Sequence, residues 1–214
     1  MNKLIFVTGI GTNVGKSYAT GWLANILLAE GKSVITQKMI QTGNDEFSED
    51  IDVHRKIMGM EYCDDDKNHL TAPMIFSYPA SPHLAAKIDK KDINLEIIEN
   101  ATNRLLAKYN VVLLEGAGGL MVPIKDDYLT IDYITDKQYS VALVTNGTLG
   151  SINHTLLSLY LLEKRKINVE YVIYNAFFDE DNIICNDTVN YIKNYVQQHY
   201  KNAKFLLMPS LKTL

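Results

Sequence analysis

Residues 4–27, LIFVTGIGTNVGKSYATGWLANIL, decide how the rest of the chain is read. An apolar run, Leu4–Val7, meets a glycine-rich turn from Gly9 to Gly15; Lys16 and Ser17 follow, and a helical pattern begins at Tyr18. Strand, turn and helix in that order form a phosphate-cradling loop. Backbone N–H groups converge on phosphate oxygens only where no Cβ intrudes. The helix N-terminus adds its partial positive charge at the same point. Lys16 is placed to reach the terminal phosphates of a nucleoside triphosphate, and the Ser17 hydroxyl to ligate Mg²⁺. The spacing is one residue longer than usual, because Ile10, Gly11, Thr12, Asn13 and Val14 all lie between Gly9 and the Gly15–Lys16 pair.

Composition narrows the class. The chain has 214 residues, which suits one α/β domain or two small ones, and is 47% apolar, enough for a sizeable core. A net charge of -4 without a basic cluster argues against nucleic acid as a main partner. No apolar run approaches the roughly 20 residues that span a bilayer. Lys3 is followed at once by the first strand, which does not read as a signal peptide. Cys63 and Cys185 lack partners at metal spacing and read as reduced thiols of a cytoplasmic protein. The histidines, His54, His69, His83, His154 and His199, form no i, i+4 ligand pair, so a zinc site is not expected.

Strand and helix patterns alternate along the whole chain. Strands are expected at Leu4–Val7, Ser33–Gln37, Val111–Glu115, Ser140–Thr145, Val169–Tyr174 and Lys204–Met208. Several are nearly continuous apolar runs, as strands covered on both faces are. Helices are expected at Lys16–Glu30, Ser48–Met58, Ser81–Lys87, Leu95–Lys108, Ile152–Lys164 and Asp187–His199. The alternation predicts a single-domain α/β P-loop NTPase fold over residues 1–214, with a mostly parallel sheet flanked by helices on both faces. The acidic cluster Asp64–Asp66 reads as a solvated loop.

Ligands of such sheets collect at the carboxyl ends of the strands, which directs attention to the residues just after each one. After the second strand stands Lys38, either a surface lysine or a cation for transition-state charge. Glu115 closes the third apolar strand. A carboxylate there is costly to bury without a cation, which suits a Mg²⁺ ligand, and Gly116, Ala117, Gly118 and Gly119 follow it. After the fourth strand, Asn146–His154 is a glycine-containing helix start, open to reading as an anion site or simply as a capped helix. Asn175 follows the fifth strand, where an amide suits either an adenine edge or a turn. Asp52, at the start of a helical pattern, is either a second Mg²⁺ ligand or a favourable N-terminal charge, and Asp45 and Asp50 lie close by.

Taken together these segments resemble the dethiobiotin synthetases. The matching pieces are VTGIGTNVGKS, the Lys38 segment ending Thr42-Gly43, Asp52, SPHLAA at 81–86, LLEGAGGLMVP at 113–123, LGSINH at 149–154, and Asn175, in the family's order. The family's phosphate loop shares the lengthened spacing. The resemblance implies an ATP- and Mg²⁺-dependent cyclo-ligase of biotin biosynthesis. Such an enzyme joins CO₂ to 7,8-diaminononanoate and closes the ring through a carbamate and a carbamic–phosphoric anhydride. It implies catalytic roles for Thr12, Lys16 and Lys38, with Mg²⁺ held by Ser17, Asp52 and Glu115. ATP is to be met by Asn13–Tyr18 (Val14 and Gly15 included), Asp52, Glu115–Gly118, Asn175 and Pro209. The diamine is to be met by Thr12, Lys38, Thr42 and Gly118, and its carboxylate by Leu149, Gly150, Ser151, Ile152 and Asn153 of the other protomer of a homodimer.

Departures from the family pattern are few. Asn13 stands where an acid is frequent, Met39 where Pro is common and Thr42 where Ser is common, and only five residues follow Pro209. Two rival classes fit less well. Surface-switched ATPases of the ParA/MinD type carry an extra lysine early in the loop, absent from Ile10–Val14 here. Amidoligases of the cobyrinic-acid type need a glutaminase domain for which this chain lacks room.

Overall fold

Six parallel strands make the central sheet of the computed structural model, which describes residues 2–211. They are β1 (Lys3–Gly9), β2 (Val34–Lys38), β3 (Val111–Gly119), β4 (Ser140–Asn146), β5 (Val169–Asn175) and β6 (Lys204–Met208). Their spatial order is β6-β5-β4-β1-β3-β2. The chain first builds outward from β1 to one side, then crosses to the other after β3. Side chains alternate across the sheet as the pleat requires. Leu4, Phe6, Val112, Leu114, Val141 and Leu143 enter one apolar cluster. Ile5, Val7, Val111, Leu113, Ala142 and Val144 enter the other.

Helices close both faces. Helices α1 (Lys16–Ala29) and α2 (Glu49–Met58) cover one, through Ala19, Leu23, Leu27 and Met58. On the other lie α5 (Leu95–Lys108), α7 (Ser151–Lys164) and α8 (Asn182–His199), through Leu105, Leu159, Leu162, Ile192 and Val196. Each such side chain contributes about 1.5–3 kcal/mol relative to exposure. The shorter helices are α3 (Asp64–Lys67), α4 (Pro82–Asp89) and α6 (Thr130–Lys137).

Most expected elements are present, α6 is an addition to them, and three further differences bear on the reading. Strand β3 runs on from Glu115 to Gly119, where Gly119 still pairs with Gly9. Helix α8 begins at Asn182 rather than Asp187, because Asp181 Oδ1 accepts from the N–H groups of Ile183 and Ile184 and caps the earlier start. The acidic cluster is the larger correction. Asp64–Asp66 is not a solvated loop but most of α3, and Asp65 and Asp66 are each 4% exposed. Buried carboxylates need donors. Asp66 receives Arg55 Nε and Nη2 at 2.9 and 2.7 Å and Thr71 Oγ1 at 2.6 Å. Asp65 receives Lys108 and the Tyr109 hydroxyl. Burial works against ionised Asp66, but Arg55 and Thr71 outweigh it and hold the carboxyl at about 2. Among the described residues no helix is long and apolar enough to cross a membrane.

Candidate active site

The carboxyl edge of the sheet opens into a cavity of about 500 Å³. The loop between β1 and α1 forms its floor through Thr12, Asn13 and Gly15, continued by Lys16, Ser17 and Tyr18 of α1. Gly15 has φ +86°, the left-handed region that glycine enters freely, and a Cβ there would lie 2.2 Å from Asn175 Nδ2. The loop is thus tied against the end of β5. Asn175 Nδ2 donates to the Val14 carbonyl at 3.1 Å, and Asn175 Oδ1 accepts the Phe177 N–H. One amide N–H of Asn175 is left over.

Sheet register sets the charged centre. Lys38 at the end of β2 pairs directly with Glu115 on β3, and Glu115 with Val7 on β1, two residues before the glycine-rich turn begins at Gly9. Lys38 Nζ lies 2.8 Å from Glu115 Oε1, 2.5 Å from Asp50 Oδ2 and 3.3 Å from the Gly116 carbonyl. Lys38 is therefore a buried cation, 5% exposed, and not a surface lysine. Ser17 Oγ lies 2.6 Å from Asp50 Oδ1 and 3.1 Å from Glu115 Oε1. Behind them, His54 Nε2 is 2.7 Å from Glu115 Oε2, and Thr20 Oγ1 is 3.0 Å away.

Electrostatics follow from this packing. Burial favours neutral Glu115, yet Lys38 and His54 keep its pKa well below the usual carboxylate range. Burial likewise opposes the Lys38 ammonium, and Glu115 with Asp50 reverse that and raise its pKa. Lys16, whose Nζ donates to the Gly11 carbonyl at 2.9 Å, has no such direct partner. Burial pushes it down to about 8 against the pull of Glu115.

Asp52 is displaced from the centre by helical geometry. In α2 it points to solvent and pairs with Lys56 at 2.8 Å, one turn on. Asp50, two residues earlier, is the carboxylate that reaches Ser17 and Lys38. The α2 N-terminus is set by Ser48, whose Oγ accepts the Ile51 N–H and donates to Gln41. The oxygen set of Ser17, Asp50 and Glu115 has the chemistry of a hard divalent cation site.

Of the other expected residues, Thr42, Ala117 and Gly118 line the cavity, while Val14 and Gly116 reach it only through their backbone contacts. Pro209 does not line it; Met208 and Leu211 do, beside Phe177 and Phe178. This end of the cavity is apolar and presents two flat aromatic rings. Leu149–Asn153 does not line the cavity. Gly150 caps α7, Leu149 is 89% exposed, and the buried Ser151 hydroxyl has no partner among the described residues.

Phosphate loop, parallel sheet and strand-end charges define a P-loop NTPase, and a family profile described as an AAA domain matches residues 3–201. The chain is 49% identical over 208 residues to the ATP-dependent dethiobiotin synthetase BioD 2 of Pasteurella multocida, covering 97% of this chain and 98% of that one. It belongs to the ATP-dependent dethiobiotin synthetase family, whose members are ligases. The Chlorobaculum tepidum dethiobiotin synthetase BioD is 44% identical over 186 residues, which are 87% of this chain and 78% of that one. Among solved structures, a putative plasmid partition protein of Borrelia burgdorferi bound to AMPPNP matches with a TM-score of 0.54. It is 15% identical over 96% of this chain and 85% of that one. Chloroplast FtsY of Physcomitrella patens gives 0.51 at 18% identity, over 92% of this chain and 56% of that one. At these identities the likeness is one of fold.

Proposed function

We propose that this single-domain protein converts 7,8-diaminononanoate, CO₂ and ATP into dethiobiotin, ADP and phosphate, in the cytoplasm and as a homodimer. The observation that carries the reading is the Lys38–Glu115–Asp50–Ser17 cluster beside the phosphate loop, within a cavity that Thr12 and Thr42 also line. One amine of the substrate takes up CO₂ and loses a proton to give a carbamate. A carbamate oxygen attacks the γ-phosphorus of ATP, and the bond to the ADP oxygen breaks. The second amine then attacks the carbonyl carbon, closes the cyclic urea and expels phosphate, with loss of a proton.

Carbamate and triphosphate are both anionic and repel each other. Lys16 and Lys38 lie between the places they would occupy and offset that repulsion, and Thr12 and Thr42 hold the diamine or its carbamate. Ser17, Asp50 and Glu115 would hold Mg²⁺, which supplies further positive charge to the phosphates. Phe177 and Phe178, with Asn175, would hold the base. A homodimer is supported by the exposed apolar side chains Met121 and Leu157, which line a groove with Gly11 and Thr12, and by exposed Leu149 before α7 and Tyr160 on it. A partner seated there would bring its Gly150–Asn153 helix start to the substrate carboxylate.

The test is ADP release from ATP, Mg²⁺ and bicarbonate, with and without the diamine, with the product weighed by mass spectrometry. Diamine-dependent release with a cyclic urea product is expected. Slow hydrolysis indifferent to the diamine would overturn the reading and favour a switch ATPase.

A further inference from the structure

The two oxygens of Glu115 are divided between different tasks. Oε1 faces the cavity, with Lys38 and Ser17. Oε2 faces the protein, with His54 Nε2 at 2.7 Å and Thr20 Oγ1 at 3.0 Å. We propose that His54 is a positioning residue, which holds Glu115 by Oε2 so that Oε1 is presented to the cation of the triphosphate. The inference rests on Glu115 being a metal ligand.

Three features support it. First, the Nε2 of His54 must carry the proton, since a bare nitrogen would set a lone pair against a carboxylate oxygen. His54 is fully buried and its Nδ1 has no partner among the described residues. The polar interactions of the ring are therefore concentrated on Glu115. Second, Thr20 cannot substitute. Its hydroxyl has a single proton, and Oγ1 also lies 2.8 Å from the Lys16 carbonyl oxygen, which competes for that proton, so His54 is the donor committed to Oε2. Third, the backbone is arranged to bring His54 there. Gly21 lies in the middle of α1, where glycine costs about 1 kcal/mol against alanine. A Cβ at Gly21 would meet Ile57 Cβ at 2.9 Å and His54 Cα at 3.2 Å. The missing side chain lets α2 close on α1, and that approach carries His54 onto Glu115. Partners that orient a metal ligand without touching the ion change metal affinity by about 10–100-fold when removed.

The experiment measures ATP affinity calorimetrically with and without Mg²⁺, in the absence of diamine, for the whole protein and three variants. His54→Met removes the donor and keeps bulk. His54→Gln keeps an N–H at nearly the same reach. His54→Asn keeps the amide but shortens it by one bond. The gain in ATP affinity on adding Mg²⁺ is expected to fall about tenfold or more in His54→Met and His54→Asn. Metal-free ATP binding should stay near wild type, and His54→Gln should recover most of the gain. Unchanged Mg²⁺ dependence in folded His54→Met or His54→Asn overturns the proposal. So does a folded His54→Gln as impaired as His54→Asn, because bulk and not the donor would then be at stake. If His54→Met does not fold, the Gln–Asn contrast decides. A wild-type protein whose ATP affinity ignores Mg²⁺ would instead remove the metal assignment itself.

Discussion

Ser17 and Asp50, 33 positions apart in sequence, meet at 2.6 Å where α1 and α2 begin side by side at the cavity floor. That contact makes Asp50, and not Asp52, the carboxylate competent to share a cation with Ser17. Asp50→Asn should raise the Mg²⁺ concentration for half-maximal ADP release by about tenfold to a hundredfold. Asp52→Asn should change it less than about twofold, since loss of an exposed i, i+4 pair is worth only about 0.3–0.5 kcal/mol. Mg²⁺ titrations of the two variants decide the assignment; the reverse ranking restores Asp52.

Lys38 is held between two carboxylates, which argues for a fixed charge at the place where negative charge develops. Lys38→Gln should lower kcat by about 10²–10³, the cost of removing one preorganised donor, with a KM for ATP changed by less than about threefold. Thermal unfolding checks that the variant is folded. Turnover near wild type would take Lys38 out of the reaction.

If Leu149–Asn153 serves the neighbouring protomer, Asn153→Ala should raise the KM for the diamine more than that for ATP. Mixing Asn153→Ala with Lys38→Gln should then yield activity that neither has alone, because a mixed dimer rebuilds one intact site. Equal effects on both substrates and no recovery on mixing would remove the shared-site arrangement.

The phosphate loop, Lys38 and Glu115 were the legible parts of the cavity, because chemistry and local pattern coincide there. Gly15–Lys16–Ser17 follows an apolar run, and Glu115 closes another. What was illegible depends on helical phase and on long-range packing. Asp50 and Asp52 differ by 200° around α2, and only the docking of α2 on α1 says which faces the cavity. His54 gave no signal, lacking a partner at ligand spacing; Gly21 was the available clue, a glycine inside a helical pattern. The cavity-lining pair Phe177–Phe178 lies just beyond Asn175 and reads in sequence as ordinary apolar residues. Asp65 and Asp66 were misread because their partners, Arg55, Lys108 and Tyr109, come from α2 and from the end of α5.

That buried acidic pair yields a prediction about stability and pH. Asp66 in the folded chain is held at about 2, against an ordinary value of 3.8. A depressed carboxyl pKa contributes stability that is fully present above the unfolded-state value and is lost as pH falls toward the folded-state value. Asp66→Asn keeps the shape but leaves Arg55, 1% exposed, without its counter-charge. Removing one partner of a buried pair costs about 3–5 kcal/mol. Urea unfolding should therefore show a deficit for Asp66→Asn that is constant from pH 7 to about pH 5. Between pH 4 and pH 2 the deficit should shrink, because wild-type Asp66 then also loses its charge advantage. A deficit that grows on acidification would mean that Asp66 is held protonated, and the ion pair with Arg55 would have to be abandoned.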